Sequence, residues 1–351
     1  MKINLDSLIV RPVKHIEEKN RWNRLIKNYH YLNSHRLVGK SLRYVALVNG
    51  KWVALIGWTG PSFKLADREQ WLGWCKAHKK QRVKYIANNA RLLILPGCHQ
   101  KNLASKTLAL NLKRLADDWA DKYHHPVVLV ETFVDPSRFN GTCYRAAGFK
   151  EIGKTKGYGV DAGDYYYHGQ KKLILVRGLK PNTKKLLTAP FLHPFFARGS
   201  DKKPLANLNR LNIFAKDGLI ERLSTISNWR SNKGRRHDKE IILSLAVCAI
   251  LAGRASGYRE IGRWVDALPW EVASRFGCSY ISSYRTPEEH TIRRSLKGVN
   301  GKELCQKVAL WLKEQGQKRI IPDVCKKLHH FCRMQTKIKN LVPALMGGDL
   351  S

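Results

Sequence analysis

Acidic residues are scarce in this sequence. Its 351 residues include 27 Asp and Glu against 64 Lys and Arg, which leaves a formal net charge of +37 at pH 7. A charge of this size exceeds what solubility requires, and it repels itself unless a partner neutralises it. The shortage of carboxylates therefore favours a polyanionic partner, and nucleic acid fits that description best.

Long apolar runs are also absent. No stretch reaches the roughly 18 apolar residues of a membrane helix, and the start, MKINLDSLIVRPV, lacks the apolar core and cleavage site of a signal peptide. We therefore expect a cytoplasmic protein without a membrane partner. No pair among the eight cysteines has the C-x-x-C spacing of a structural zinc site, and in the cytoplasm the thiols are expected to be reduced.

The sequence pattern predicts an α+β chain. In residues 1–176, helical periodicity alternates with short apolar runs, and Asn49-Gly50 between two such runs is a strong hairpin signal. We expect the order helix, hairpin, strand, helix, strand, helix, strand there. Residues 177–209 scatter prolines and lysines without a period and are predicted to be a basic linker. Residues 210–351 show mainly helical patterns, so a small all-helical domain is predicted.

The segment NGTCYRAAGF carries a resemblance for the first domain. With the order of elements, its tyrosine in a short helix before Gly148 resembles the GCN5-related N-acetyltransferases (GNAT). The resemblance implies a GNAT-like mixed α/β fold and matches Tyr144 to a frequent general acid of that superfamily. Its acetyl-CoA loop has glycine where this sequence has Leu103 and Ser105 after Gln100, and a leucine side chain obstructs the approach of backbone amides to a pyrophosphate. Acetyl transfer is therefore not expected.

Several separated motifs of the first half resemble another family more closely. That family is DruA of the Druantia anti-phage systems, with its relatives in mobile elements. The motifs are HYLNSHRLVGKSLRYV, REQWLGW, NNARLLILPGCHQKNLASKTL and ETFVDPSRFNGTCYRAAGF. The resemblance covers roughly residues 1–176 and implies a defence or mobile-element origin, without an assigned chemistry.

The second half resembles a different group of proteins. Residues 229–267 and 285–304 are similar to the helical N-terminal region of the H-repeat-associated transposases. In those proteins an RNase H-like core with three metal-binding acids follows this region, and we expect only the opening of such a core here, a strand at Asp323. One acid cannot hold two metal ions. The resemblance therefore implies a DNA-binding or protein-docking module with a truncated core.

Two acids at the end of an apolar run are the candidate catalytic residues. In an extended strand, Glu131 and Asp135 share one face with Phe133, and the residues between them face the other way. A Glu and an Asp at a strand end can coordinate Mg²⁺, with Tyr144 or a water as nucleophile toward a phosphodiester. The sequence offers His30, His99 or Asp118 as a third ligand.

The alternative interpretation of the two acids is structural. In a chain so rich in cations, each carboxylate has a guanidinium available to pair with, and Asp135 precedes Pro136, so it can open a turn. The candidate partners are Arg91, Arg138 and Arg145.

Candidate nucleic-acid contacts are basic or amide side chains in both halves. Some lie before a strand or near the start of the helix at Leu103, whose free amides attract phosphate. Others lie in a basic loop and on a helix of the second half, as in helix-turn-helix proteins; solvated surface charge is the alternative. The set is Asn88, Asn89, Arg91, Lys101, Lys106, Arg145, Arg230, Arg235, Arg236, Arg293, Arg294 and Lys297.

The sequence thus predicts a DNA-binding protein of mobile-element or anti-phage defence origin. Its partners are expected to be duplex or single-stranded DNA, with other defence-system or transposon proteins. The alternative is a metal-dependent nuclease or transposase-like enzyme that uses Glu131, Asp135, Tyr144 and Mg²⁺.

Overall fold

A computed structural model of the chain describes residues 4–161, 164–197, 203–230, 236–279 and 286–332. The chain divides into two compact units, Met1–Thr188 and Ala189–Ser351. The first unit combines helices with a sheet, and the described residues of the second unit that adopt regular structure are helical. The predicted α+β class is therefore confirmed. Within the segment predicted to be linker, residues 183–188 form a helix.

A mixed seven-stranded sheet forms the centre of the first unit. Its order is β1-β2-β3-β4-β5-β9-β6, and only the β4–β5 pair is parallel, whereas β7 and β8 form a separate two-stranded ribbon. The strands are β1 (Ile9–Pro12), β2 (Ser41–Val48), β3 (Lys51–Thr59), β4 (Ile86–Ile94), β5 (Leu129–Val134), β6 (Lys150–Lys154), β7 (Tyr158–Asp161), β8 (Asp164–Tyr167) and β9 (Leu173–Gly178).

Six α-helices of the described residues accompany this sheet. They are α1 (Ile16–Tyr29), α2 (Ala66–Leu72), α3 (Lys76–Arg82), α4 (Leu103–Tyr123), α5 (Thr142–Ala146) and α6 (Thr183–Thr188). The long helix α4 connects β4 to β5, because a parallel pair needs a crossover between its strands. Buried side chains of α4 such as Leu108 and Trp119 belong to the same apolar core as Val130 of β5.

The predicted order of elements is present, with additions. Asn49 and Gly50 both have positive φ and close the predicted hairpin between β2 and β3. The strands β1 and β6 and the helices α2 and α3 were not predicted. Asn88, Asn89 and Arg91 were expected to precede a strand, but they lie within β4, which begins at Ile86 because its pairing with β5 starts there.

The second unit contains seven α-helices among its described residues. They are α7 (Leu219–Ser224), α8 (Lys239–Leu251), α9 (Tyr258–Asp266), α10 (Trp270–Arg275), α11 (Glu289–Gly298), α12 (Gly301–Glu314) and α13 (Ile321–Cys332). Every residue of α8 from Ile241 to Leu251 is buried, as its uniformly apolar sequence predicts.

Helix α11 begins at Glu289, with Glu288 in the extended N-cap position. One local prediction for this unit was wrong. The strand expected at Asp323 is part of helix α13, whose buried residues follow a helical spacing. No helix of the described ranges has the length and apolar character needed to span a bilayer.

Candidate functional site

Glu131 is the most deeply buried acid of the first unit. Its side chain is inaccessible to solvent, and one carboxylate oxygen, Oε2, accepts a hydrogen bond of 2.8 Å from Nη1 of Arg68, which is itself fully buried. The other oxygen, Oε1, accepts a hydrogen bond of 2.9 Å from the backbone amide of Ser62. The same Arg68 nitrogen donates to the carbonyl of Ser62 at 2.9 Å. Glu131 thereby ties β5 to α2 and to the loop before it.

This arrangement does not fit a metal ligand. Both oxygens of Glu131 are engaged by donors of the chain, and a guanidinium occupies the place that a cation would take. Burial raises the pKa of the Glu131 carboxyl, while Arg68 and the Ser62 amide oppose that rise. The structural interpretation thus accounts for Glu131, with a partner, Arg68, that sequence reasoning did not name.

Asp135 lies just beyond the end of β5 and opens a turn. Its Oδ1 accepts hydrogen bonds from the backbone amide of Ser137 at 3.0 Å and from the hydroxyl of Ser137 at 2.7 Å, which lower the pKa of the Asp135 carboxyl. Arg138 is a distant ion-pair partner at 3.9 Å. The carboxylate is near Tyr31, whose pKa is raised by burial and by the charge of Asp135.

Tyr144 lies on the other face of the sheet from Glu131. Its hydroxyl donates a hydrogen bond of 2.6 Å to Oδ1 of Asn89, and the hydroxyl of Thr132 donates to the carbonyl of Asn89 at 3.1 Å. Asn89 and Thr132 are register partners, and Asn88 is the partner of Glu131, so neighbouring positions on each strand project to opposite faces. Burial raises the pKa of Tyr144. The structure therefore does not bring Tyr144 and Glu131 to one site.

The residues considered as a third metal ligand are also dispersed. Burial, with the charge of Arg91, lowers the pKa of His30 to about 4. Asp118 accepts hydrogen bonds from Arg114 and from the hydroxyl of Tyr44. His99 is exposed. Within the part of the chain that the structure describes, no three His, Cys, Asp and Glu side chains form a group that could hold a metal ion.

The predicted nucleic-acid contacts of the first unit differ in accessibility. Asn89 is buried and bonded to backbone carbonyls, and the guanidinium of Arg91 donates to the carbonyls of Ser34, Ala90 and Arg36. Lys106 pairs with Asp6, Arg145 pairs with Glu151, Asn88 is half-buried, and Lys101 is exposed. The side chain of Leu103 was expected to obstruct the approach of a pyrophosphate to the backbone amides, but it points into the core.

In the second unit, helix α11 presents a basic face. Arg293, Arg294 and Lys297 are exposed, whereas Ile292, Ser295 and Leu296 of the same helix are buried. Arg230 donates a hydrogen bond of 2.7 Å to the carbonyl of His237. The structure also describes Arg236, which is exposed, whereas Arg235 lies outside the described residues.

A groove that sequence reasoning missed lies in the first unit, with a volume of about 660 Å³. We call it the lysine groove. Its lysines are Lys64, Lys79, Lys154, Lys156 and Lys172, and its aromatic residues are Phe63, Phe133, Tyr158 and His168. The two lysines and the tyrosine of the segment KTKGY were the available sequence signal, since basic and aromatic side chains together are typical of single-strand binding.

Comparisons with family models find one match in each half of the chain. Residues 3–169 match the family model described as Druantia protein DruA, and residues 220–312 match the family described as DDE_Tnp_1-associated. The two resemblances predicted from sequence are confirmed, and they indicate a mobile-element or defence-related protein. A comparison with curated proteins finds no match.

Solved structures similar to the first half include acetyltransferases. Aminoglycoside acetyltransferase AAC(6')-Ib, solved with coenzyme A and kanamycin, is 15% identical with a TM-score of 0.31, and the match covers 49% of this chain and 95% of that one. A GNAT-family acetyltransferase from Streptococcus pneumoniae is 13% identical with a TM-score of 0.32, covering 49% and 99%. A Bacillus subtilis acetyltransferase with CoA is 8% identical with a TM-score of 0.33, again covering 49% and 99%.

Proposed function

We propose that this protein binds DNA through the basic surfaces of its two units, within a mobile-element or anti-phage defence system. The observation that carries the proposal is the unbalanced charge. Even if each of the 27 acids neutralised one cation, 37 positive charges would remain. Such a surplus needs an external counter-charge, and the phosphates of DNA supply one at regular spacing.

The arrangement of the acids strengthens this argument. Glu131 is committed to Arg68 inside the fold, and Asp118 is held by Arg114. These carboxylates stabilise the chain and do not offset its surplus of cations. In the second unit, α11 exposes three basic side chains, of which Arg293 lies 3.7 Å from Glu289 of the same helix. A helix that exposes several cations is the form in which many proteins approach a DNA groove or backbone.

The proposal is tested by the salt dependence of DNA binding. Fluorescence anisotropy of labelled duplex and single-stranded DNA is measured with the full chain between about 50 and 200 mM salt. Displacement of counterions by several Lys and Arg predicts that affinity falls by at least about a hundredfold over that range. Affinity that is absent, or independent of salt, would contradict the proposal.

The contribution of α11 is measured with matched variants. Replacing its three exposed cations by Gln should reduce the slope of log affinity against log salt concentration. The expected reduction is about 0.9 for each phosphate of duplex DNA that the helix no longer neutralises. The control removes the same charge from exposed positions outside α11. The test variant changes Arg293, Arg294 and Lys297, and the control changes Lys302, Lys318 and Arg319.

A further inference from the structure

We propose that the lysine groove binds single-stranded nucleic acid, with bases stacked on Phe63 and Tyr158 and phosphates held by Lys154, Lys156 and Lys172. The inference rests on the proposed function and deepens it, because it assigns one site and one class of strand. A cavity of about 660 Å³ lies within the range of ligand-binding clefts, so it accommodates a short stretch of one strand.

The charges of the groove call for an anion. The described residues that line it include two acids, and both are engaged: Glu69 forms an ion pair of 2.7 Å with Lys79, and Asp67 accepts a hydrogen bond of 3.1 Å from the backbone amide of Lys154. Among the described residues, no carboxylate forms an ion pair with the ammonium groups of Lys154, Lys156 or Lys172. These three cations converge on one groove, where a phosphate backbone would neutralise them.

The exposed rings of the groove distinguish a nucleic acid from a simple anion. Phe63 is 61% exposed and Tyr158 is 58% exposed, although large aromatic side chains are usually buried. The ammonium of Lys79 lies 4.8 Å from the centre of the Phe63 ring, and Tyr158 contacts Tyr167 with ring centres 5.1 Å apart. Exposed rings among lysines are the combination that binds single strands, since unpaired bases stack on rings while phosphates pair with cations.

The geometry favours a single strand over a duplex. Stacking on a protein ring needs a base whose face is free, and in a duplex both faces of each base are covered by its neighbours. Lys154, Lys156 and Tyr158 lie close together in the sequence and all line the groove, so its wall carries cations and a ring side by side. A strand that runs along this wall meets both phosphate sites and a base site.

The walls of the groove are held before any ligand arrives. Glu131 and Arg68 fix the loop at Ser62 from beneath. On the opposite wall, Thr155 and Lys172 exchange hydrogen bonds of 2.8 Å and 2.9 Å. A preorganised groove loses less conformational entropy on binding, which favours affinity for a flexible strand.

The test compares variants that separate stacking from charge. Phe63→Leu and Tyr158→Leu keep an apolar side chain but remove the ring, and each is expected to weaken binding of labelled oligothymidine about tenfold. Tyr29→Leu is the matched control, because Tyr29 is 53% exposed on α1 outside the groove. Lys156→Gln is expected to lower the slope of affinity against salt by about 0.7, and Lys27→Gln on α1 is its control.

The outcomes separate this inference from the proposed function. Loss of oligothymidine binding in the groove variants only, with duplex binding retained, supports the inference. If DNA binding is salt-dependent but the groove variants match their controls, the groove assignment is overturned while the proposed function stands. Polyglutamate that competes as well as oligothymidine of equal charge identifies the groove as an acidic-peptide site and overturns the inference. Absence of any DNA binding overturns both.

Discussion

Replacement of Glu131 by Gln tests whether this acid is structural or a metal ligand. The substitution keeps the shape of the side chain and removes its charge. Because Arg68 is fully buried and Glu131 is its close carboxylate partner at 2.8 Å, the variant leaves the buried guanidinium with a weaker counter-charge, Glu69 at 3.7 Å. A guanidinium cannot relieve this by losing a proton.

The magnitude follows from the burial of both partners. Removing one member of a buried ion pair costs roughly 3–5 kcal/mol, since the remaining charge is deprived of both water and its partner. The amide oxygen of Gln still accepts one hydrogen bond, so we expect a loss of about 3 kcal/mol, the lower end of that range. The variant carries no titrating group at this position, so this site adds no pH dependence to the variant's own stability between pH 5 and pH 8.

Arg68→Met is expected to behave differently. It leaves the Glu131 carboxyl buried, and that group can bind a proton; burial already raises its pKa, and loss of Arg68 removes an opposing effect. A carboxyl whose pKa is higher in the folded than in the unfolded chain is most favourable to folding below its unfolded pKa. This contribution to stability is lost as pH rises through the folded pKa. Arg68→Met should therefore be closer to wild type at pH 5 than at pH 8.

Hydrogen exchange read by mass spectrometry measures these losses, because peptides from β5 and α2 report the first unit alone. A loss of about 3 kcal/mol accelerates globally controlled exchange by about a hundredfold. Urea midpoints at pH 5 and pH 8 provide the pH comparison. Wild-type protection in Glu131→Gln would refute the structural role of Glu131, and so would stabilisation by Mg²⁺ of the wild type but not of that variant.

Two further predictions concern stability. His125 is buried, its Nε2 lies 2.8 Å from the ammonium of Lys40, and burial lowers its pKa to about 4. As pH falls from 6.5 to 4, the unfolded chain binds a proton at this histidine before the folded chain does, so the free energy of unfolding should fall by up to about 3 kcal/mol. In urea titrations, His125→Gln should reduce this dependence of stability on pH. At Gly262, an added Cβ would approach Cβ of Glu289 to 2.9 Å. Gly262→Val should destabilise the α9–α11 contact by about 1–3 kcal/mol, visible as faster exchange in α11 peptides; unchanged exchange would show that the helices can separate without cost.

The parts of the fold that were predicted are those with strong local patterns. Asn49-Gly50 fixes a hairpin through backbone conformation alone, and α4 and α8 carry long apolar periodicities. The missed strand β6, KEIGK, has little apolar character because it lies at the edge of the sheet and pairs only with β9. Its place depends on a partner strand about twenty residues away, which a local pattern does not encode.

The environment of Glu131 was predicted only in part. The alternation of β5 correctly separated Glu131 and Phe133 from the residues between them, since Phe133 lines the lysine groove and Thr132 contacts Asn89 on the other face. The partner of Glu131 was not found. Arginine is rarely buried, so a sequence gives no reason to place Arg68 inside the fold, 63 positions from its carboxylate.

The few acids around the lysine groove make contacts that order its walls. Glu131 holds Arg68 and the loop at Ser62, and Asp67 fixes the backbone of Lys154. An acid turned into the groove would compete with a phosphate for the lysines, whereas an acid bound to backbone amides or to a buried arginine orders the walls without neutralising them. Apart from Glu69, which pairs with Lys79, these carboxylates thus order a basic surface instead of cancelling its charge, which is what a site for an anionic strand requires.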